Sequence, residues 1–337
     1  MIYLLLYFYY SFLALFENKI KIDIVLKIII TISPLLGLII FIENIPDYNI
    51  YKLSYENIEN FNYVINLHME KLYLVVSWIF YQLGITYHFF RVIVLSIIVT
   101  SFSYIIVKLG YKNYFLRFFL LYTCIFITTI FIQYRSGLAL MLFLSFGIKY
   151  LKYKKKLLFI IIIFILSFIH NSILSMLPLV FLCGIESRKT KLFFLIASIG
   201  LIFIYDEIFK LLEYLSRNLL ILKKINNYIL NSEFYFSNST LGIRDLSNIF
   251  LFIIIVYFIK VSREENIYVW MFFLMIFYRI IFYKTPEVGI RLGFLCQYSV
   301  IILIPKLMKK NFFNFIGILT FYFISFYSII HNYARLF

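Results

Sequence analysis

Charged residues are scarce in this sequence. Asp, Glu, Lys and Arg together make up 14% of 337 residues, against about 25% in an ordinary soluble domain. That shortage excludes a soluble globular surface, and a disordered chain as well, since both depend on charge to stay solvated. Proline (5) and glycine (11) are also few. A collagen-like repeat is thereby excluded, and no polar linker divides the chain. The three cysteines, Cys124, Cys183 and Cys296, lie inside apolar runs without a CxxC partner. They exclude a disulfide framework and a thiolate metal site, and read as small buried hydrophobes. No Walker loop, GxGxxG, HExxH or DxD pair occurs, so neither a metal nor another cofactor is expected. There is no inverted internal repeat of the transporter kind.

What fills the sequence is hydrocarbon, at 64% hydrophobic residues. A crossing helix needs about 20 apolar residues. Candidate spans are 1–16, 24–42, 89–107, 114–132, 136–151, 191–205, 246–260, 267–283, 291–306 and 312–330. The first has no basic flank before it and no small-residue cleavage site after it, so it reads as a retained span and not as a signal peptide. The expectation is one all-α integral membrane domain over 1–337.

The net charge is +16. In a soluble protein that would suggest nucleic acid. Here the basic residues cluster between apolar runs, as the positive-inside bias requires, and no nucleic-acid partner is expected. Segments 17–23, 108–117, 149–156, 184–191, 260–266 and 306–310 hold 18 basic and 5 acidic residues and are assigned to the cytoplasm. The other side holds 13 basic and 11 acidic residues, with Lys27 left inside a span.

This layout constrains two odd segments. If 43–71 and 84–88 are both outside, 72–83 cannot cross and must be re-entrant or interfacial. If 149–156 and 184–191 are both inside, 157–183 must go out and return. Each arm then has about 13 residues, or about 20 Å of helix, less than the roughly 30 Å core. His170 would mark the tip of this short hairpin. Counting the hairpin as two spans gives about twelve transmembrane helices with both termini outside. Two outer loops remain, 43–71 and 206–245. The second contains EIFKLLEYLSRNLLILKKINNYIL, patterned as an amphipathic surface helix.

Charges near apolar segments need a partner or a task. Arg135, in FIQYRSGLALMLF, either snorkels to headgroups or grips a phosphate with its planar fork. The Ser-Gly after it permits close approach at a helix start, which also favours an anion. His170, in ILSFIHNSILSM, is either a satisfied core residue or a general base. Arg291, in TPEVGIRLGFLCQY, is an interfacial anchor, a partner of Glu287, or a second phosphate ligand. Asp47 is a solvated loop residue or an alternative base. Glu70 opens the segment that cannot cross, where it could cap a helix or take a proton from a sugar hydroxyl.

Several motifs follow in order: DYNIYKLSYENI, then E-x-L-Y-L-V-V-S, then Y-R-S-G-L-A-L-x-L-F with a lysine cluster, then F-I-H-N-S-I-L, and finally I-R-L-G-F-x-x-Q-Y. Across roughly 40–310 this resembles the EpsG family of polysaccharide polymerases, related to the Wzy-type O-antigen and capsule polymerases. The resemblance implies a metal-independent membrane glycosyltransferase. It would join repeat units of a polyprenyl-pyrophosphate-linked oligosaccharide at the outer face of the cytoplasmic (inner) membrane. Membrane lipid, a chain-length regulator and a flippase are the implied partners, with undecaprenyl pyrophosphate as carrier. On that reading Arg135 and Arg291 bind pyrophosphate, and His170, Glu70 or Asp47 is the base. Competing readings are a lipid-phosphosugar-dependent multi-span glycosyltransferase, a flippase or other transporter, and an O-antigen ligase. The sugars, and whether the product is capsule, exopolysaccharide or O-antigen, are left open.

Overall fold

A computed structural model describes residues 2–42, 48–58, 70–110, 113–153, 155–204, 242–283 and 286–307, with isolated positions between 207 and 214. Among the described residues every regular element is helical. They form two compact units, one from the chain up to Leu177 with the helix end from Val300, the other Pro178–Ser299.

The first unit contains α1 (Ile2–Leu15), α2 (Ile24–Phe41), α3 (Tyr48–Glu56), α4 (Lys71–Gln82), α5 (Tyr87–Lys108) and α6 (Tyr114–Leu121). A wider π-helical stretch follows, Tyr122–Ile132, then α7 (Tyr134–Leu142), a second π turn (Phe143–Gly147), α8 (Ile148–Lys152), α9 (Lys156–Ser167) and a 3₁₀ segment, Asn171–Met176. Asp23 starts α2 by accepting the Leu26 N–H at 2.8 Å, a side-chain N-cap. Buried hydroxyls fasten the helices: Tyr10 donates to the Thr31 carbonyl at 2.8 Å, and the Tyr114 hydroxyl meets Thr31 at 3.0 Å and Ser103 at 2.7 Å. That ties α1, α2, α5 and α6 through atoms with no water to bond. α1 turns Leu5, Phe8 and Phe12 outward, each more than half exposed. Such a stripe suits lipid and not water.

The second unit contains α10 (Leu179–Leu182), α11 (Arg188–Gly200), α12 (Ile243–Phe258), α13 (Asn266–Ile281) and α14 (Pro286–Phe294). Gly289 and Gly293 lie on one face of α14 and let it approach α13 closely. A Cβ at Gly289 would stand 2.7 Å from the Tyr278 carbonyl oxygen. This small-xxx-small contact is common between membrane helices. α15 (Tyr298–Leu307) continues the chain.

Three helical stretches are long and apolar enough to cross a membrane: Ile24–Phe41, Tyr87–Lys108 and Val288–Leu307. The other described helices are shorter. The expected span 114–132 is not one α-helix, because its second half widens into the π-helical stretch. Segment 72–83 is a helix of 12 residues, about 18 Å long, too short for a roughly 30 Å core. Within 157–183 the helix stops at Ser167, and the chain resumes at Asn171 as a 3₁₀ segment of six residues. His170 stands in that break. The surface helix read in 206–245 and the span 312–330 lie outside the described residues, apart from isolated positions.

Charged chain segments that the sequence assigns to one side meet in the structure. Glu17 accepts the backbone N–H groups of Phe115 and Leu116, both at 3.2 Å, at the start of α6. Arg263 pairs with Glu186 at 3.3 Å, and Asn266 donates to the carbonyls of Cys183 and Ile185 at 2.9 Å each. Each contact joins two segments of the basic set within its own unit.

Candidate active site

Arg135, Glu70 and His170 of the first unit converge where α3, α4 and α7 meet the break after α9. The π-helical stretch ends at Ile132, and Gln133 leaves helical geometry (φ −103°, ψ 56°) before the chain re-enters a helix at Tyr134. Arg135 therefore sits in the first turn of α7, where the Ser136 and Gly137 N–H groups close on the Gln133 carbonyl at 2.8 and 3.3 Å. π-helical stretches of this kind often accompany functional positions. Glu70 precedes α4. The Leu72 N–H donates to the Phe168 carbonyl at 3.0 Å, which pins the start of α4 to the break that carries His170.

This framework brings three of the sequence-predicted residues together. Arg135 Nη1 donates to Glu70 Oε2 in a short ion pair, across 65 residues of sequence. His170 Nδ1 stands 3.8 Å from Glu70 Oε1. That is beyond hydrogen-bond range, though catalytic contacts are commonly long before substrate binds. The side chains are 14% (Arg135), 7% (Glu70) and 17% (His170) exposed, so the pair is largely desolvated. Glu70 takes the N-cap position of α4 but makes no side-chain cap hydrogen bond. Its carboxylate serves Arg135 instead.

Tyrosines complete the site. Arg135 Nη2 donates to the Tyr51 hydroxyl at 2.9 Å, and the guanidinium carbon lies 4.7 Å from the Tyr51 ring centre and 5.3 Å from that of Tyr73. The Tyr73 and Tyr134 hydroxyls share a short hydrogen bond. Burial works against the charge on Arg135, but Tyr51 and Glu70 more than offset it and raise its pKa above the ordinary arginine value. The cation is thus held charged and flat against aromatic faces. Nε of Arg135 has no hydrogen-bond partner among the described residues, so a donor remains for an incoming anion.

The sequence reading missed Tyr51, Tyr73 and Tyr134. A signal existed: Tyr48, Tyr51 and Tyr55 recur at helical spacing and are all buried on one face of α3. Asp47 lies outside the described residues. Arg291 is half-buried on α14 in the second unit. It stands two residues from each glycine of the seam, on the opposite side of the helix. The second unit has its own buried pair, also unforeseen: Arg279 Nε and Nη2 meet Asp245 Oδ1 and Oδ2 at 2.8 and 2.9 Å. Beside it lies a cavity of ≈ 50 Å³, room for a few waters at about 10–15 Å³ each.

Against known families, the model of the EpsG family matches residues 24–337, nearly the whole chain. No curated protein and no solved structure matches.

Proposed function

This chain belongs to the EpsG family, which covers polysaccharide polymerase-like membrane proteins, and on that footing we propose that it joins lipid-pyrophosphate-linked oligosaccharide repeat units into a surface polysaccharide. The observation that carries the proposal is the meeting of Arg135, Glu70 and His170 from three distant segments. The reading uses the first unit alone.

In the proposed step the acceptor sugar hydroxyl attacks the anomeric carbon of the donor glycan. The new glycosidic C–O bond forms as the bond from that carbon to the lipid pyrophosphate breaks. The electron pair leaves on the pyrophosphate, whose growing negative charge falls to Arg135. A preorganised cation in a dry site is the most effective stabiliser of such charge. The hydroxyl proton passes to His170. Glu70, near Nδ1, orients the imidazole so that Nε2 faces the acceptor. Glu70 itself is the weaker candidate for base, because its Oε2 already serves Arg135. That weakens the Glu70 version of the reading as a transferase using a single-sugar lipid phosphate, in which Asp47 or Glu70 would be the base. A transporter would carry its polar groups near the midplane, whereas these gather at helix ends.

The charge layout supports about twelve crossings in the cytoplasmic membrane with the site facing outward. Segments assigned to the outer side supply every member of the site, and segments assigned to the cytoplasm meet one another elsewhere. The purified protein should extend a lipid-pyrophosphate-linked repeat unit and ignore a single-sugar lipid phosphate. Turnover of the single-sugar donor alone would overturn the proposal.

A further inference from the structure

Arg91 is a second buried guanidinium in the first unit. It lies one turn into α5 and is fully buried. The guanidinium is sandwiched, its carbon 5.6 Å from the Tyr48 ring centre and 4.9 Å from that of Phe131. Nη1 donates to the Ile42 carbonyl at 3.0 Å, just beyond the end of α2. A cation suits a helix C-terminus, so the two rings and this carbonyl account for the charge and for Nη1. They do not account for Nε and Nη2, which are buried without a hydrogen-bond partner among the described residues.

Those two groups form one edge of the planar fork, the edge that meets a carboxylate or phosphate with two parallel hydrogen bonds. Arg279 shows that edge filled in the same chain, with Nε and Nη2 on the two oxygens of Asp245. Leaving charged donors buried and unmet is costly, and here no carboxylate is paired with them among the described residues. Tyr87, Tyr48, Tyr134 and Tyr3 are among the described groups within electrostatic reach of Arg91. Tyr134 also packs against Tyr51, with ring centres 5.5 Å apart.

α3 sets the spacing. Tyr48 lies against Arg91, and Tyr51, one turn on, lies against Arg135. Three residues rise about 4.5 Å along a helix, so the two guanidiniums stand beside successive rungs of one tyrosine ladder. Two linked phosphates can bridge such a step. We propose that the open edge of Arg91 is a second phosphate seat, so that Arg135 and Arg91 together take a diphosphate, one phosphate each. This rests on the transfer reading above, and it names the residue that distinguishes a diphosphate carrier from a monophosphate one. α3 supplies one aromatic face to each cation, Tyr48 to Arg91 and Tyr51 to Arg135, so both seats share one wall.

The test uses the full chain in lipid nanodiscs, with calorimetric titration of farnesyl diphosphate, farnesyl monophosphate and inorganic pyrophosphate. The unaltered protein should prefer farnesyl diphosphate over the monophosphate by about 10- to 100-fold, the effect of one or two charged hydrogen bonds. Arg91→Gln and Arg91→Lys should both lose that preference while keeping the monophosphate affinity, which also reports an intact fold. Arg91→Gln with the original preference overturns the second seat and leaves the transfer reading standing. No preference in the unaltered protein overturns both. Equal loss of both farnesyl probes in both variants assigns Arg91 to holding the end of α2 and overturns the proposal. Pyrophosphate bound as tightly as farnesyl diphosphate keeps the seat but gives it to the free anion, against the lipid-carrier reading.

Discussion

Replacing one member of the Arg135–Glu70 pair leaves the other as an uncompensated buried charge. Both side chains are far less than one-third exposed, so solvent screening does little to soften the loss. Breaking such a pair from one side costs about 3–5 kcal/mol, a large share of a total stability of about 5–15 kcal/mol. Arg135→Met and Glu70→Met should therefore each lower the unfolding midpoint of the purified protein sharply. The double variant Arg135→Met/Glu70→Met removes both charges together. It should regain most of the stability, because well-packed apolar replacements of a buried pair are commonly neutral or better. Activity should not return with it. Loss of Arg135 alone should slow polymer extension by about 10²–10³-fold, as when one charge-stabilising donor is removed. The assay is polymer length and extension rate at matched membrane abundance, beside thermal or denaturant unfolding of the same samples. A stable double variant that still makes full-length polymer would refute the reasoning, since the pair would then be structural only. Single variants that lose less than about 1 kcal/mol, the worth of an exposed pair, would refute the burial argument on which it rests.

Other consequences are checked separately. His170→Gln should slow extension and remove the limb of the pH–rate profile that reports the general base; an unchanged profile excludes His170 as base. A cysteine at Asn171, which is exposed in the break after α9, should react with an impermeant maleimide added outside intact cells, and labelling only from the cytoplasmic side reverses the topology. Glu17 lies half-buried against the start of α6, and the desolvation, partly offset by the Phe115 and Leu116 N–H groups, raises its carboxyl pKa. The folded state thus holds this proton to higher pH than the unfolded state does, and stability falls as pH rises from the usual carboxylate value through the raised one. Glu17→Gln should flatten that part of the stability–pH curve of the purified protein, and an unaltered slope would show that the carboxylate is not desolvated.

Much of this molecule is written along the chain, because the bilayer imposes rules that act locally. Hydropathy alone marks Ile24–Phe41 and Tyr87–Lys108 as long apolar helices. Its shortness and the charge layout mark 72–83 as a segment not expected to cross, and the structure makes it a helix of 12 residues, Lys71–Gln82. Basic clusters group loops that the structure then pairs, as at Glu17 with α6 and Arg263 with Glu186. Single charges in apolar surroundings likewise drew notice to Arg135, His170 and Glu70, because each needs a partner or a task.

Which partner each one finds is a long-range matter, and only the folded chain decides it. Glu70 reads as a helix cap by its position, yet its carboxylate goes to Arg135, because a buried guanidinium offers more than the first N–H groups of a short helix. Tyr51 and Tyr73 look like interfacial aromatics until Arg135 lies against both rings. Arg91 resembles an ordinary charge near a span start, until packing seals it between Tyr48 and Phe131 with one edge unmet among the described residues. A periodic pattern fixes which face of a helix is apolar, since that depends on neighbours a few residues away. It cannot say which distant polar group will share that face, since that depends on how helices settle against one another.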